Sequence, residues 1–151
     1  MRNIALKTIA SFCILSALMV TSINARAQAA ENMTIDIPFR FSVGGKTLPA
    51  GRYSVKRAST SVSAYTIQSR DGSETVIVLA LASLDNDGTE AKPKLVFNNY
   101  YGRHFLSQVW MPGSNTGNHI PPSKAEREFK RELASTNAKP QQVALLARKA
   151  N

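Results

Sequence analysis

Cysteine is nearly absent from the sequence, in which Cys13 is the only example. It lies in an apolar leader that we expect to be removed, so the mature chain is predicted to have neither a disulfide nor thiol chemistry. Histidine is almost as scarce, with His104 and His119 as the two examples. Two histidines without a cysteine partner or an H-x-x-x-H spacing make at most a partial zinc site. We therefore predict no metal and no cofactor.

Long hydrophobic runs are missing after residue 20, so no later segment is apolar enough to span a membrane. Residues 9–20 form the one such run, and Arg2 and Lys7 precede it. A positive start, a short apolar centre and an end of small residues are the three parts of a secretory signal peptide. We predict this signal peptide at residues 1–29.

Cleavage is expected after Ala27 or Ala29, where the A-x-A pattern of a cleavage site occurs. The remaining residues 30–151, about 120 in number, are enough for one domain with a buried core. The sequence thus predicts an exported protein that is periplasmic or extracellular.

Acidic residues are fewer than basic ones, ten against nineteen, which gives a formal net charge of +9. The leader carries three basic residues and no acid, so the mature chain has sixteen basic and ten acidic residues, or +6. Near the C-terminus, Lys124, Arg127, Lys130 and Arg131 recur at helical steps and are interleaved with glutamates. Such pairing is typical of a solvated helix face rather than of a nucleic-acid or membrane interface.

Apolar residues at every second position mark several short segments of the mature chain, a pattern typical of half-buried strands. In residues 35–43, Pro38 favours an edge strand or a bulge because it donates no hydrogen bond. Residues 74–82 are apolar on both faces and are expected to form a central strand covered on both sides. We predict a mainly β fold, an antiparallel sandwich or partly closed barrel of about seven strands, with one C-terminal amphipathic helix.

Turn residues separate these segments along the chain. Proline and glycine precede Tyr53, and its hydroxyl is expected to bond back to the preceding loop, as in the tyrosine corner of β-sandwich domains. Asp71 and Gly72 predict a tight hairpin. The acidic residues at 85–88 favour an exposed turn, since a calcium-binding loop would also need a bidentate glutamate and flanking helices.

The C-terminal quarter combines a loop, a helix and a last short element. Residues 112–122 predict a long irregular loop. A capping box of Ser123 and Glu126, in which the glutamate reaches back to the cap, predicts a helix at about residues 123–134. Residues 141–147 are open between a strand and a helical turn, with a strand favoured. The predicted inner face of the helix consists of Ala125, Phe129 and Leu133, and Glu132 is left open as a further member.

One histidine lies beside serine and arginine in the segment YYGRHFLSQVW, residues 100–110. Successive side chains of a strand point to opposite faces, which puts Arg103 and Ser107 on one face and His104 and Trp110 on the other. Ser107 and His104 therefore cannot be a nucleophile and its base within this strand, and the chain has no G-x-S-x-G elbow. We predict no catalytic residue.

The same segment combines aromatic and cationic side chains of the kind that stack on sugars or other flat ligands. The alternative is that its aromatic rings serve the core, as most large side chains of a small domain do. The candidate ligand-binding residues are Tyr101, Arg103, His104, Trp110 and, in the loop that follows, His119.

Five blocks of the sequence, in their order, resemble a group of small secreted bacterial proteins that are numerous in acidobacterial genomes. The blocks are residues 37–41 (IPFRF), 45–55 (GKTLPAGRYSV), 94–97 (KLVF), 101–110 (YGRHFLSQVW) and 123–128 (SKAERE). The resemblance extends over nearly all of the mature chain. It implies a secreted, mainly β domain, and it brings with it no activity, cofactor or catalytic residue.

A well-patterned core without a convergent catalytic constellation favours a non-enzymatic secreted or envelope-associated module that binds a ligand or partner. One alternative is a polyanion or polysaccharide binder that uses the basic helix and the edge near His104. Another is a small lipocalin-like carrier with an apolar cavity between its sheets. We predict polysaccharide or another envelope component as the partner class. Nucleic acid is not an expected partner.

Overall fold

Two β-sheets pack face to face in the computed structural model of the chain, which describes residues 32–59, 63–85, 92–134 and 140–149. The first sheet is antiparallel throughout. In spatial order its five strands are β12 (Arg148–Lys149), β1 (Asn32–Ile37), β4 (Gly51–Ser59), β5 (Ala64–Ser69) and β6 (Thr75–Leu79).

The second sheet contains seven strands and the one helix of the described residues packs on its outer face. Its main path is β11 (Gln141–Leu146), β8 (Lys94–Tyr100), β9 (Arg103–Trp110), β10 (Thr116–His119) and β7 (Ala82–Asp85). Beside β9, β2 (Phe41–Val43) runs parallel to it, and β3 (Lys46–Leu48) pairs with β2. The helix is α1 (Lys124–Leu133).

This architecture confirms the predicted mainly β sandwich with one C-terminal helix. Each sheet ends in edge strands among the described residues, so the sandwich is open rather than closed into a barrel. The strand count is higher than the predicted seven because several predicted segments divide into shorter strands, and because β3, β7, β10 and β12 are too short or too polar to show alternation.

The hydrophobic core lies between the sheets, where the inward rows of side chains meet. The Phe41 ring connects the two layers, with centroid distances of 5.2 Å to Tyr53 of the first sheet and 5.5 Å to Phe97 of the second. Both contacts are edge-to-face, the arrangement that aromatic quadrupoles favour. Burying a side chain of this size contributes roughly 1.5–3 kcal/mol, so this shared interior holds the sheets together.

The alternation at residues 35–43 is preserved, but the segment is divided between the two sheets. β1 ends at Ile37, because Pro38 has no N–H to extend the ladder. The chain then crosses to the second sheet, where Phe41 begins β2 beside β9. Ile37 and Phe41 are both buried, so both strands point the same alternate side chains at the core.

Among the described strands, β6 lies at the edge of its sheet, and the prediction of a covered central strand at residues 74–82 is wrong for this part of the chain. Val76 and Val78 face the core and are buried, whereas Ile77 and Leu79 are 65% and 57% exposed. The continuous apolar run predicts two covered faces, but the described residues cover only the inner one.

A β-bulge in β9 reverses the alternation of side chains along this strand. Phe97 of β8 lies opposite Leu106, whereas the preceding residue, Val96, lies opposite Gln108. Ser107 is therefore an extra residue on β9. Two side chains of β9 that simple alternation places on the same face therefore lie on opposite faces if one precedes Ser107 and the other follows it.

The predicted turns form with the expected hydrogen bonds. The Tyr53 hydroxyl donates to the Pro49 carbonyl at 2.7 Å, which confirms the tyrosine corner. The β5–β6 hairpin contains Gly72 at φ +76°, and it is closed by the Ser69 N–H, which donates to the Glu74 carbonyl at 2.9 Å. The last paired residues are Ser69 and Glu74, so residues 70–73 form the loop, which is longer than a two-residue turn.

Strand β10 interrupts the irregular loop predicted at residues 112–122. Its sequence, TGNH, has no apolar alternation and was therefore not recognisable as a strand. β11 confirms the preference for a strand at residues 141–147. The predicted signal peptide at residues 1–29 and most of the predicted turn, at residues 86–88, lie outside the described residues.

The buried residue of helix α1 is Glu126, and its carboxylate contacts the second sheet. The Ser123 hydroxyl accepts from the Glu126 N–H at 3.2 Å, which confirms the N-cap. The Glu126 side chain does not reach back to the cap, since it is buried and accepts from Asn98 Nδ2 at 3.0 Å and from the Tyr100 hydroxyl at 3.3 Å. Ala125, predicted to face inward, is exposed because Glu126 occupies the contact with the sheet.

Candidate functional site

The five predicted ligand-binding residues do not form one surface. His104 precedes the bulge in β9 and Trp110 follows it, so their side chains lie on opposite faces of the strand. The His104 ring stacks on Phe39, with 3.7 Å between the ring centroids, whereas Trp110 packs with Val96 in a separate cluster. The prediction that they share a face is wrong, because one inserted residue inverts the alternation.

Tyr101 and Arg103 lie at the β8–β9 turn, and Arg103 contacts helix α1. Tyr101 is 77% exposed in the turn between β8 and β9, where its φ is +50°. The Arg103 guanidinium lies 4.2 Å from the centroid of the Phe129 ring on the helix, a cation–π contact. This contact gives Arg103 a part in holding the helix against the sheet.

His104 lines a small depression beside β2. Burial lowers its pKa, and backbone contacts with Arg40 and Gly102 oppose that shift. The imidazole is therefore mainly neutral near pH 7. The depression, which Ser42 and Thr47 also line, has a volume of about 170 Å³, below the roughly 300–1,000 Å³ of most ligand pockets.

Trp110 and His119 are close to each other on the outer face of the second sheet. The Trp110 Nε1 donates to Gln108 Oε1 at 3.0 Å, and the Lys94 ammonium lies 4.8 Å from the ring centroid. His119 lies opposite Gln108 in the β9–β10 ladder. A Cβ at Gly117 would clash with the indole, which is 5% exposed. An indole enclosed in this way packs against its neighbours and offers no open platform for stacking.

Ser107 is held inside the bulge by backbone contacts. Its hydroxyl donates to the Val96 carbonyl at 3.0 Å, and its own carbonyl accepts from the Ile120 N–H at 2.8 Å. Its hydroxyl is engaged by backbone rather than by a histidine, in agreement with the expectation that Ser107 and His104 are not a nucleophile and its base.

The outer face of the first sheet carries a cluster of basic side chains that the sequence interpretation did not single out. The strand register places three rows of side chains across this face. We call these ten residues the basic face: Arg148, Thr34, Ser54 and Gln68 in one row, Asn32, Lys56 and Thr66 in the next, and Asp36, Arg52 and Arg70 in the third.

One open depression indents the basic face and a second adjoins it, and both are lined by Arg52 and Arg70. Their volumes are about 390 Å³ and about 430 Å³, which lies within the usual range for ligand sites. The first is also lined by Thr34, Ser54, Lys56 and Gln68, and the second by Pro49, Ala50, Asp71 and Ser73.

Four cations share the basic face with one carboxylate. Asp36 accepts from Arg52 twice, at 2.7 Å from Nε and 3.3 Å from Nη2. The hydrogen bond from Arg52 lowers the pKa of Asp36, and the charges of Arg52, Arg148 and Arg70 lower it further. Among the described residues, Arg70 and Lys56 have no ion-pair partner. The face therefore keeps an excess of positive charge.

Asp71, at the rim of the second depression, is satisfied within its own turn. Its carboxylate accepts from the Ser69 hydroxyl at 2.6 Å and from the Ser73 hydroxyl and N–H at 2.9 and 3.1 Å. These hydrogen bonds lower the pKa of Asp71 to about 2. Asp71 therefore serves to shape the turn that follows Arg70.

The signal for the basic face is present in the sequence, in the outward positions of three strands. Arg52, Ser54 and Lys56 alternate with buried residues in β4, as do Thr34 and Asp36 in β1. Each strand alone shows only a solvated edge. The cluster forms because β1 and β5 flank β4, and this pairing is not visible in the sequence.

In the part of the chain that the structure describes, no three His, Cys, Asp or Glu side chains form a group able to hold a metal ion. No helix in that part has the length and apolar character needed to cross a bilayer. Comparison of the chain with family models, with curated proteins and with solved structures gives no match. The basic face is thus the feature whose chemistry points most directly to a ligand.

Proposed function

We propose that the protein is a non-enzymatic binding module for an anionic polysaccharide, and that the basic face is its binding surface. The observation that carries this proposal is that three of the four cations, Arg52, Arg70 and Lys56, line two open depressions. Asp36 is paired with Arg52, and Asp71, at the rim of the second depression, is held within its own turn. Guanidinium and ammonium groups bind carboxylates and sulfates through charge-assisted hydrogen bonds. The hydroxyl and amide groups between the cations match sugar hydroxyls.

Helix α1 is a weaker candidate for the same ligand. Its Lys124 pairs with Glu128 at 3.8 Å, and its Arg127 donates to the Pro122 carbonyl at 2.6 Å. Interleaved glutamates reduce the positive field along the helix. The basic face has only one carboxylate to oppose four cations.

A lipocalin-like carrier has less support than a surface binder. The interior between the sheets is occupied by the buried rings of Phe41, Tyr53 and Phe97. The depressions described above are open to the surface and lined largely by polar side chains. An apolar ligand would need an enclosed, apolar lining.

We also propose that the protein acts outside the cytoplasm, in the periplasm or the extracellular space. The signal-peptide pattern of residues 1–29 and the resemblance to secreted acidobacterial proteins support this location. Acidic polysaccharide of an envelope or matrix is a ligand that an exported basic module would meet.

The test compares two double variants that lose the same charge. Arg70→Ala with Lys56→Ala removes two cations from the basic face, and Lys130→Ala with Arg131→Ala removes two from the helix. Binding to heparin and to polygalacturonate is measured by calorimetry at several salt concentrations. We expect the first double variant to bind roughly tenfold more weakly or worse, because each lost contact to a charged group is worth about 1.5–3 kcal/mol. Its salt dependence should also be shallower.

The helix double variant should bind as the wild type does. Equal losses in both double variants would show attraction to net charge alone, and a loss only in the helix variant would assign binding to α1. Wild-type protein that binds neither polymer, or that binds equally well at high salt, would contradict the proposal.

A further inference from the structure

Strand β6 presents a stripe of apolar side chains to solvent. Ile77, Leu79 and, just beyond the strand, Leu81 occupy alternate positions and are 65%, 57% and 76% exposed. They are three of the five large hydrophobic side chains that are exposed among the described residues. Such a concentration on one edge is typical of an interaction surface.

The backbone at this edge also lacks a second partner among the described strands. β6 pairs with β5 on one side, and no described strand pairs with its other side. The β2–β3 turn approaches β6 through Gly44, where a Cβ would meet the side chains of Val76 and Val78 and would lie 3.7 Å from the Ile77 carbonyl oxygen. Those two side chains face the core, so the outward stripe is left uncovered.

The charge distribution favours a second copy of this chain as the occupant. β6 has the sequence TVIVL, without charge, proline or bulge, and so lacks the devices that protect edge strands from pairing. The opposite edge of the same sheet, β12, carries Arg148. Since the chain has an excess of basic residues, two copies carry a net charge of the same sign. At β6 they can meet without opposing cations.

We propose that β6 pairs antiparallel with β6 of a second copy, which joins two five-stranded sheets into one of ten strands. An antiparallel pair of identical strands is self-complementary, as a twofold dimer requires. The pairing would hydrogen-bond the free edge and bring the Ile77 and Leu79 side chains of both copies together on one face. A twofold axis normal to the sheet also leaves both basic faces on the same side.

The test measures the molecular mass and the hydrogen-exchange protection of the β6 amides on the same samples. Sedimentation equilibrium of the wild-type protein, over about 1 µM to about 1 mM, should show reversible association to twice the monomer mass. Amide hydrogen exchange at Thr75–Leu79 should slow as the dimer forms. Ile77→Lys should remain monomeric over this range, because its ammonium groups would face each other across the edge.

The matched control is Ser54→Lys, which adds the same charge to the same face two strands from the edge. It should associate as the wild type does. Circular dichroism must show both variants folded, and Leu79→Lys replaces Ile77→Lys if the latter fails to fold. A wild-type protein that is monomeric at all concentrations would overturn the proposal. This holds even if its β6 amides are protected from exchange, because such protection in a monomer would mean that another segment of the same chain covers the edge. Unchanged dimerisation of Ile77→Lys would overturn it as well.

This inference does not depend on the proposed ligand. A wild-type protein that stays monomeric but binds heparin would leave the ligand proposal intact. A dimer that binds no polyanion would leave the edge pairing intact.

Discussion

Tyr53 links a turn to the core through one hydrogen bond. Its ring is buried against Phe41, while its hydroxyl donates to the Pro49 carbonyl in the loop before β4. Burial raises the pKa of Tyr53, and the charges of Glu74 and Asp71 add to that effect, so the hydroxyl keeps its proton at ordinary pH. The same turn begins the strand that carries Arg52, and the corner therefore helps to position the basic face.

Tyr53→Phe is expected to lower the free energy of unfolding by about 0.5–1.5 kcal/mol, because the Pro49 carbonyl loses its donor while the ring keeps its packing. Urea denaturation measures this loss. Tyr101→Phe is the matched control, since its side chain is exposed in a turn, and it should unfold like the wild type. A Tyr53→Phe variant as stable as the control would show that the corner contributes nothing measurable.

Helix α1 is attached to the second sheet through a buried polar contact and an aromatic one. Glu126 accepts from Asn98 and Tyr100, and Phe129 lies edge-to-face with Tyr100 at 6.3 Å. A buried carboxylate is costly unless it is hydrogen-bonded, and both donors bind its Oε1 atom. The helix thus depends on its tertiary contacts, because ten residues are too few for a stable isolated helix.

Glu126→Ala is expected to destabilise the protein by roughly 1–3 kcal/mol, since the Asn98 amide and Tyr100 hydroxyl lose their acceptor. Urea denaturation provides the measurement. Glu128→Ala is the control, because this glutamate is exposed on the same helix and its pair with Lys124 is long. Its loss should stay within about 0.5 kcal/mol. Equal losses in the two variants would contradict the importance of the buried contact.

The same substitution should change the titration of Tyr100. Burial raises its pKa to about 12, and the charge and hydrogen bond of Glu126 add to the shift. Because the folded pKa lies above the ordinary value of 10.0, the stability linked to the neutral phenol is present below pH 10 and is lost as the pH rises towards 12. An ultraviolet absorbance titration should show this pKa falling in Glu126→Ala, and an unchanged pKa would argue against the contact.

The whole molecule has an uneven charge distribution, with four cations on one sheet face. Like charges held together by a sheet repel one another in the folded state more than in the unfolded chain. Moderate salt screens this repulsion, since the Debye length is about 10 Å at 0.1 M. The positive cluster is therefore expected to lower the free energy of unfolding, although it attracts anionic ligands to this face.

Raising sodium chloride from low to moderate concentration should increase the urea midpoint of the wild type. The Arg70→Ala, Lys56→Ala double variant has fewer cations on the basic face and should show a smaller increase. A midpoint that falls with salt in the wild type, or an equal rise in both proteins, would show that repulsion on this face is not significant.

The sequence by itself determined the class of fold and most of its local structure. Alternation predicted strands at residues 35–43 and 100–110, and the Ser123 cap predicted the start of the helix. These features depend on residues close together in the chain, such as a proline before a turn or a hydroxyl beside free amides. For that reason they are readable without knowing which strands meet.

Only the tertiary structure decided what lies at each surface. The alternation of side chains predicted along β9 is wrong beyond Ser107, because a bulge is a property of the β8–β9 pair rather than of one strand. β6 has the composition of a central strand but ends a sheet, because no described strand follows it in the pairing order. The basic face exists because β1, β4 and β5 are neighbours, which places Arg52 beside Arg70. Strand order is set by contacts between distant parts of the chain, and local pattern carries no information about it.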